Sequence, residues 1–222
     1  MTSITAIIPA LNAAERLPKC IASLGDVAQV LVIDGESSDA TVGVADGCGA
    51  TVVRARRGRG GQMIAGAALA TSDWLLFLHA DTVLETGWRR EVEAFVTSPA
   101  NRMRAAVFQF VLDDASPQAR RLETQVALRT RMFALPYGDQ GLFISRAFYD
   151  ALGGFRDIPI MEDVDIVHRI GRRRLACLEA RAITSAARWR QRGWLRRSAR
   201  NLGCLALYFA GVPPRHIVKV YG

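Results

Sequence analysis

The chain has 222 residues, half of them hydrophobic, and a formal net charge of +8. This length and composition suit one domain with a full hydrophobic core and exclude a disordered or fibrous protein. The charge is uneven, because residues 1–110 carry ten Lys or Arg against eleven Asp or Glu, whereas residues 166–222 carry thirteen against one. The basic character therefore belongs to the C-terminal part of the chain.

Three sequence features predict a cytoplasmic location. The N-terminal residues enter an apolar strand at once and lack the charged region and cleavage site of a secretory signal. No run reaches the roughly 18–20 apolar residues that span a bilayer. The four cysteines are scattered without C-x-x-C spacing, which indicates neither a zinc site nor a disulfide framework. The basic C-terminal part of the chain also suggests a second option, a peripheral location on the inner face of the cell membrane.

Short apolar runs alternate with helical periods through the first half of the chain. Strands are predicted over residues 4–9, 29–34, 50–55 and 74–79, and helices over residues 15–24, 41–48, 61–70 and 87–96. This alternation predicts an α/β fold with a mainly parallel sheet flanked by helices. Ligands of such sheets bind beyond the carboxyl ends of the strands, and polar segments follow the first, second and fourth predicted strands.

The pattern changes in the second half. Strands are predicted over residues 105–112 and 141–145, and helices over residues 118–135, 146–152, 163–173 and 201–209. No internal repeat or low-complexity linker divides the chain. We therefore predict a single domain over residues 1–222, in which residues 188–222 form a basic and apolar C-terminal helical extension.

Carboxylates stand at the ends of two predicted elements. His79-Ala80-Asp81 follows an apolar strand, and Glu162-Asp163 precedes a helix. Together they suggest metal-assisted transfer from an activated donor, in which Asp81 binds Mg²⁺ or Mn²⁺ at a diphosphate leaving group and a separate carboxylate activates the nucleophile. Each motif also has a structural interpretation, because Asp81 can cap a turn and acidic residues suit a helix N-terminus.

Two further segments carry candidate binding groups. Asp34, at the end of the second strand, either accepts a hydrogen bond from a base or ribose or begins an Asx-type turn. Arg59 lies in Gly-Arg-Gly-Gly-Gln before a helix, where backbone N–H groups can cradle phosphate, although a solvated turn explains the segment nearly as well. The glycine spacing matches neither the dinucleotide fingerprint nor a P-loop.

Seven short motifs occur in a definite order: IIPALN at 7–12, VIDGESSD at 32–39, RGGQ to glycine at 59–66, LFLHAD at 76–81, GDQG at 138–141, GGF at 153–155 and ED at 162–163. This set resembles family 2 glycosyltransferases of the GT-A, nucleotide-diphospho-sugar transferase fold. More narrowly, it is similar to short, single-domain bacterial members associated with arsenosugar biosynthesis. The chain departs from the wider family pattern at His79, which replaces the first aspartate of Asp-x-Asp, and at Ser185, which replaces a glutamine of processive polymerases.

The resemblance implies a role for each matching residue. The residues implied to bind the nucleotide sugar are Pro9, Asn12, Asp34, Gly35, Arg59, His79, Asp139, Gln140 and Arg188. Asp81 is implied to bind a divalent cation, Mn²⁺ or Mg²⁺, at the diphosphate. Asp163, with Glu162 beside it, is implied to be the catalytic base that deprotonates the acceptor hydroxyl. Family 2 enzymes invert the anomeric centre, so a single in-line displacement is expected.

Residues 188–200 are rich in arginine and tryptophan and precede an apolar helix. Arg188 can grip the leaving diphosphate, or the segment can be a solvated surface with Trp189 and Trp194 packed on the core. It can also rest on an anionic membrane near a lipid-linked acceptor. Nucleic acid ranks last as a partner, because no recognised nucleic-acid-binding module accompanies the charge.

The sequence therefore predicts a metal-dependent, inverting glycosyltransferase that moves one sugar from a nucleotide-diphosphate sugar to a small-molecule or lipid-linked hydroxyl. Two alternatives stay open. One is a sugar-phosphate nucleotidyltransferase of the same fold, which would normally carry a Gly/Arg/Lys-rich signature that residues 9–12 lack. The other is a catalytically lapsed binding or membrane-docking protein, in which His79 reflects lost metal binding.

Overall fold

The computed structural model describes residues 2–221, apart from the side chain of Arg192. The strands are β1 Ile4–Ala10, β2 Gln29–Asp34, β3 Thr51–Arg54, β4 Trp74–Phe77, β5 Thr82–Leu84, β6 Ala105–Leu112, β7 Leu142–Ser145 and β8 Leu175–Thr184. The α-helices are α1 Leu17–Leu24, α2 Thr41–Gly47, α3 Arg59–Leu69, α4 Trp88–Thr97, α5 Pro117–Phe133, α6 Arg146–Ala151, α7 Glu162–Ile170, α8 Ala187–Arg192, α9 Trp194–Phe209 and α10 Pro214–Tyr221. Short 3₁₀ turns cover Pro99–Met103, Gly138–Gln140 and Arg172–Arg174.

All the strands join one sheet in the order β3-β2-β1-β4-β7-β6-β8-β5. The pairs β1–β2, β1–β4, β2–β3 and β6–β8 are parallel. The strand β7 is antiparallel to both β4 and β6, and β5 is antiparallel to β8. The sheet is therefore mixed and mainly parallel, which confirms the predicted fold class.

The central strands are buried on both faces of the sheet. Every residue of β1 and of β4 is buried, as continuous apolar runs in a helix-covered sheet should be. Alternate side chains of β1 enter different cores, since Ile8 packs with one cluster and Ile7 with another. The helix α3 lies close to the second face, because Gly66 leaves room for the side chains of Ile7 and Ile33.

Most predicted elements exist, and β2 and β6 have the predicted bounds. Three bounds near the polar segments were wrong. The helix α3 begins at Arg59, two residues before its predicted start, so Arg59 lies in the first turn of the helix and not in a solvated turn. The strand β4 ends at Phe77, so that His79 lies in the following loop. The predicted helix over residues 163–173 ends at Ile170, because Gly171 has φ of 74° and turns the chain out of the helix.

The C-terminal helices pack against the start of α7. Cys204 and Leu205 of α9 and Ile217 of α10 form an apolar cluster with Met161 and Val164. The predicted helix over residues 201–209 is longer than expected, because α9 begins at Trp194. Among the helices of residues 2–221, none combines the length and the apolar character needed to cross a bilayer.

Candidate functional site

A cleft of about 710 Å³ opens at the edge of the sheet where β8 ends. Its walls include residues of α5, α7 and α9, together with the loop that follows β4. The predicted site residues that line it are Arg59, His79, Asp81, Asp139, Asp163 and Arg188. Groups that are up to 129 positions apart in the sequence therefore meet at one place, as expected for the ligand edge of such a sheet.

Asp163 is held in a fixed orientation at the first turn of α7. Its Oδ2 accepts a hydrogen bond from the backbone N–H of Gly138 at 2.8 Å, and its Oδ1 accepts one from the N–H of Val164 at 2.8 Å. A carboxylate has about four acceptor positions, so both oxygens keep capacity for a ligand. The carboxylate is therefore positioned by the backbone and still open to the cleft.

His79 and Asp163 both lie close to Gly138. A Cβ atom at residue 138 would lie 2.6 Å from His79 Nε2 and 3.4 Å from Asp163 Oδ2. Burial, followed by the nearby charge of Arg59, lowers the pKa of His79 to about 4 against the opposing effect of Asp81 and Asp163. The imidazole is therefore neutral near pH 7 and is suited to hydrogen bonding rather than to charge neutralisation.

Asp81 and Arg188 face each other with a loose ionic contact. Arg188 Nη2 lies 4.0 Å from Asp81 Oδ2, and the side chains are 59% and 14% exposed. The backbone carbonyl of Asp81 accepts a hydrogen bond from Ser185 N–H at 3.1 Å, which ties the loop after β4 to the segment before α8. An acidic and a basic group thus stand together with free coordination capacity, an arrangement suited to a cation and a diphosphate.

Arg59 forms an ion pair with the buried Glu162. Arg59 Nε lies 2.7 Å from Glu162 Oε1, and the Glu162 side chain is 1% exposed. Burial raises the pKa of Glu162, opposed by the charge of Arg59. Glu162, which was predicted to be catalytic beside Asp163, does not line the cleft, and its contact is with the Arg59 guanidinium.

Asp139 and Gln140 are neighbours with different surroundings. Burial raises the pKa of Asp139 to about 6 although Arg129 opposes the shift, and its Oδ1 has no hydrogen-bond partner among the described residues. The Gln140 amide instead donates to the Phe108 carbonyl and accepts from Thr130 Oγ1, both at 3.0 Å. The structure therefore brings Asp139 to the cleft and places the Gln140 side chain in the interior, away from its predicted ligand contact.

Asp34 is a buried carboxylate at the end of β2. It is 2% exposed, its Oδ2 accepts a hydrogen bond from Ser37 N–H at 3.2 Å, and its Oδ1 has no partner among residues 2–221. Such an unsatisfied buried acceptor is costly unless a ligand or water donates to it. The Asx-type turn therefore forms, and the contact of Asp34 with a base or ribose stays a prediction for which Oδ1 is available.

The remaining predicted nucleotide residues shape the same edge of the sheet. Asn12 has φ of 49°, and its Oδ1 accepts from Ser38 N–H at 2.9 Å, which joins the loops after β1 and β2. Pro9 lies inside β1 opposite Ile33. A Cβ atom on Gly35 would lie 2.9 Å from the amide nitrogen of Gln62, so a larger residue would disturb this edge. These groups lie outside the lining of the cleft of about 710 Å³.

A divalent cation fits the site only if a ligand supplies most of its oxygens. Among residues 2–221 there is no group of three or more His, Cys, Asp and Glu side chains placed to hold a metal. Mg²⁺ and similar hard cations are commonly held by one or two carboxylates together with substrate phosphates. Asp81 can supply such a carboxylate, because its ionic contact with Arg188 is loose.

The contact between Arg129 and Tyr137 in the cleft was not predicted from the sequence. The Arg129 guanidinium lies 3.5 Å from the ring centroid of Tyr137, and its Nε donates to the Leu135 carbonyl. Both residues line the cleft. Arg129 falls in the amphipathic stretch of α5, where one arginine among several carries no distinguishing signal. Gln62 was also missed, although its amide donates to the carbonyls of Ala10 and Ile33 and fixes the ends of β1 and β2.

The sequence signature described as "Glycosyl transferase family 2" matches residues 5–150, which contain the loops after β1, β2 and β4. The chain belongs to this family. A protein of Rickettsia bellii named as a glycosyltransferase is 33% identical over 174 residues, which are 75% of this chain and 56% of that protein. A Rickettsia felis protein with the same designation is 27% identical over 77% of this chain and 59% of its own length. The chain thus spans less than two thirds of the length of these relatives.

Two solved structures share this fold with the chain at low sequence identity. Glucosyl-3-phosphoglycerate synthase from Mycobacterium tuberculosis, in complex with Mn²⁺ and UDP-glucose, has a TM-score of 0.66 at 19% identity and covers 96% of this chain and 80% of its own. S. aureus TarS has a TM-score of 0.66 at 14% identity, with 99% and 69% of the two chains covered. The fold of this family 2 member is therefore GT-A, as predicted.

Proposed function

We propose that the chain transfers one sugar from a nucleotide-diphosphate sugar to a hydroxyl acceptor, with inversion at the anomeric carbon. The observation that carries the proposal is the fixed Asp163 carboxylate, which lies in one cleft with Asp81 and Arg188. The groups proposed as the base and as the diphosphate-binding groups thus face a common space. Membership of glycosyl transferase family 2 supports the same reaction class.

Asp163 is the group that accepts a proton in the proposed reaction. Its carboxylate takes the proton of the acceptor hydroxyl while the hydroxyl oxygen forms a bond to the anomeric carbon. The bond between that carbon and the diphosphate oxygen breaks on the opposite face, so the configuration inverts. The two backbone hydrogen bonds to Asp163 support this role because they hold the carboxylate in position before the substrate binds.

The departing diphosphate is bound by the opposite side of the site. Asp81 would hold a divalent cation, Mn²⁺ or Mg²⁺, which when bound supplies Lewis-acid neutralisation of the diphosphate charge. Arg188 and Arg59 add positive charge from the protein, and Glu162 keeps the Arg59 guanidinium in place. The neutral His79 imidazole, beside Gly138, is available as a hydrogen-bond partner of the donor.

A uridine nucleotide is the first donor to test. S. aureus TarS has been crystallised with UDP-GlcNAc, and the M. tuberculosis synthase with Mn²⁺ and UDP-glucose. The buried Asp34 Oδ1, which needs a hydrogen-bond donor, supports nucleoside binding beyond β2. The loop joined by Asn12 and Ser38 forms the adjoining edge of that site.

The test is the release of nucleotide diphosphate from a panel of UDP-, GDP- and dTDP-sugars, with and without Mn²⁺. We expect metal-dependent release from one donor class and a loss of at least about tenfold in Asp81→Ala. Asp150→Asn is the matched control, because Asp150 is an exposed carboxylate of α6 outside the cleft. Failure of every donor to bind, with either metal, would refute the proposal and favour a docking protein.

A further inference from the structure

The outer part of the cleft is apolar, in contrast to its carboxylate-bearing end. Phe110 and Trp189 are buried within it and belong to one apolar cluster with residues of α5. Towards the mouth, the large apolar residues that line the cleft are Leu128, Phe133, Leu195 and Leu202. A hydrophobic path thus leads outward from the site that contains Asp163.

The residues at the mouth are unusually exposed for their type. Leu128 and Phe133 on α5 are 55% and 64% exposed, and Leu195 and Leu202 on α9 are 87% and 66% exposed. Large apolar side chains grouped on facing helices of a cleft are typical of a surface that is covered by a ligand. The apolar mouth therefore needs an occupant with an apolar body.

The charge around this mouth limits the occupant further. The chain contains no Asp or Glu after Glu179, and Arg197 of α9 lines the cleft. Arg129 lies on the facing helix, and its Nη2 has no hydrogen-bond partner among the described residues. Arginines placed this way attract an anionic group and bind its oxygens.

We propose that the acceptor is an anionic amphiphile whose apolar chain lies between α5 and α9. Arg129 and Arg197, which line the cleft, bind its anionic group, and its hydroxyl reaches Asp163 at the inner end of the cleft. This inference rests on the proposed function, since it names the class of acceptor used at the same site. It differs from simple attraction to a membrane surface, because the chain enters the cleft.

The test is calorimetric titration of the native chain with decyl phosphate below its micelle concentration. Butyl phosphate and inorganic phosphate report on the anionic group alone, and decyl maltoside reports on the chain alone. We expect decyl phosphate to bind at least about tenfold more tightly than butyl phosphate, because each added methylene that leaves water stabilises the complex. Equal affinities for the two phosphates would overturn the proposal, as would equal affinities for decyl phosphate and decyl maltoside.

Variants locate the binding site on the protein. Leu195→Asp should lower decyl phosphate affinity at least about tenfold, and an acidic residue in the first turn of α9 is compatible with the helix. Leu69→Asp is the matched control, since Leu69 is a 49% exposed leucine outside the cleft. Equal losses in the two variants would contradict the assignment. Co-sedimentation of the protein with phosphatidylglycerol vesicles, together with no binding of decyl phosphate in the titration, would also overturn the proposal. That result would indicate attraction to the membrane surface alone.

A parallel titration with UDP separates this inference from the proposed function. Leu195→Asp should bind UDP as the native chain does, because Leu195 lies at the mouth. UDP binding without a preference for decyl phosphate would refute only the amphiphilic acceptor. Absence of binding by UDP and by the other donor nucleotides would refute the transferase itself.

Discussion

At the scale of single residues, Gly138 lies next to both Asp163 and His79. Its N–H holds Asp163, and the absence of a Cβ leaves room for His79. Gly138→Ala should therefore lower kcat/KM by at least about tenfold, because the added methyl group displaces the imidazole or the carboxylate. Donor turnover measures the effect, and thermal unfolding shows whether the fold persists.

Gly43→Ala is the matched control for that change. Gly43 lies inside α2, and a Cβ atom there meets nothing within 4 Å. Alanine should keep full turnover and raise stability by about 0.5–1 kcal/mol, since glycine disfavours a helix. Turnover of Gly138→Ala equal to that of Gly43→Ala would show that space at residue 138 does not matter.

Asp139 should make stability depend on pH. Its pKa of about 6, raised by burial, exceeds the ordinary carboxyl value, so the folded protein holds this proton more tightly than the unfolded chain does. The stabilising contribution is therefore complete below about pH 4 and is lost as the pH rises through about 6. Asp139→Asn removes this loss, so its free energy of unfolding should exceed that of the native chain at about pH 7.5.

Urea unfolding at several pH values checks the prediction. The advantage of Asp139→Asn should shrink as the pH falls through about 6 towards about 4, because the carboxyl of the folded native chain becomes protonated over this range. Asp150→Asn is the matched control substitution, because Asp150 is an exposed aspartate outside the cleft. An Asp139→Asn variant that is less stable than the native chain at about pH 7.5 would contradict the account.

At the scale of elements, α10 supports the site through α7. Ile217 is fully buried and packs with Met161 and Val164, which flank Asp163. Ile217→Ala should lower the free energy of unfolding by about 2–5 kcal/mol, because it leaves a cavity. Val220→Ala on the same helix should change it by less than about 0.5 kcal/mol, since Val220 is 55% exposed. Comparable losses in urea unfolding would refute this packing role.

Strong periodic elements could be predicted from the sequence, and weak ones could not. The strands β2 and β6 are mainly apolar, and the sequence pattern marks both of their ends. The strand β8 was missed because it is half exposed and is interrupted by Glu179 and Arg181. The strand β5 was missed because it has three residues and gains its place only by pairing with β8.

The carboxylates of the candidate site could be predicted from the sequence, but the contacts that surround them could not. Asp81 and Asp163 follow or begin strong elements, so their position at the ligand edge was predictable. The contacts of Arg129 and Glu162 depend on which helices pack together, which periodicity does not reveal. The inward direction of Gln140 depends on a 3₁₀ turn and a partner in α5.

At the scale of the whole molecule, positive charge is concentrated where the cleft opens. Arg129, Arg188 and Arg197 line the cleft, and the chain as a whole has a net charge of +8. Raising ionic strength from about 0.05 to about 0.5 M should increase the KM for the donor by about threefold or more, since salt screens the attraction of a diphosphate. The value of kcat should change little, and a KM that is independent of salt would contradict this role of charge.

The sheet connects the part of the site proposed for the nucleoside with the part proposed for sugar transfer. The loops after β1 and β2 bear the groups proposed for the nucleoside, and α5, α7 and α9 surround the groups proposed for transfer. The strand β4 connects them, because it pairs with β1 on one side and β7 on the other. A donor that spans β2 and the loop after β4 would therefore place its anomeric carbon near Asp163.

The most direct test of the central claim is steady-state transfer by Asp163→Asn with the donor that the native chain prefers. Asparagine keeps the shape and can still accept the Gly138 N–H, but it cannot take the proton of the acceptor. We expect kcat to fall by at least about a hundredfold, while the KM for the donor changes by less than about threefold. A variant whose kcat stays within about twofold of the native value would contradict Asp163 as the base.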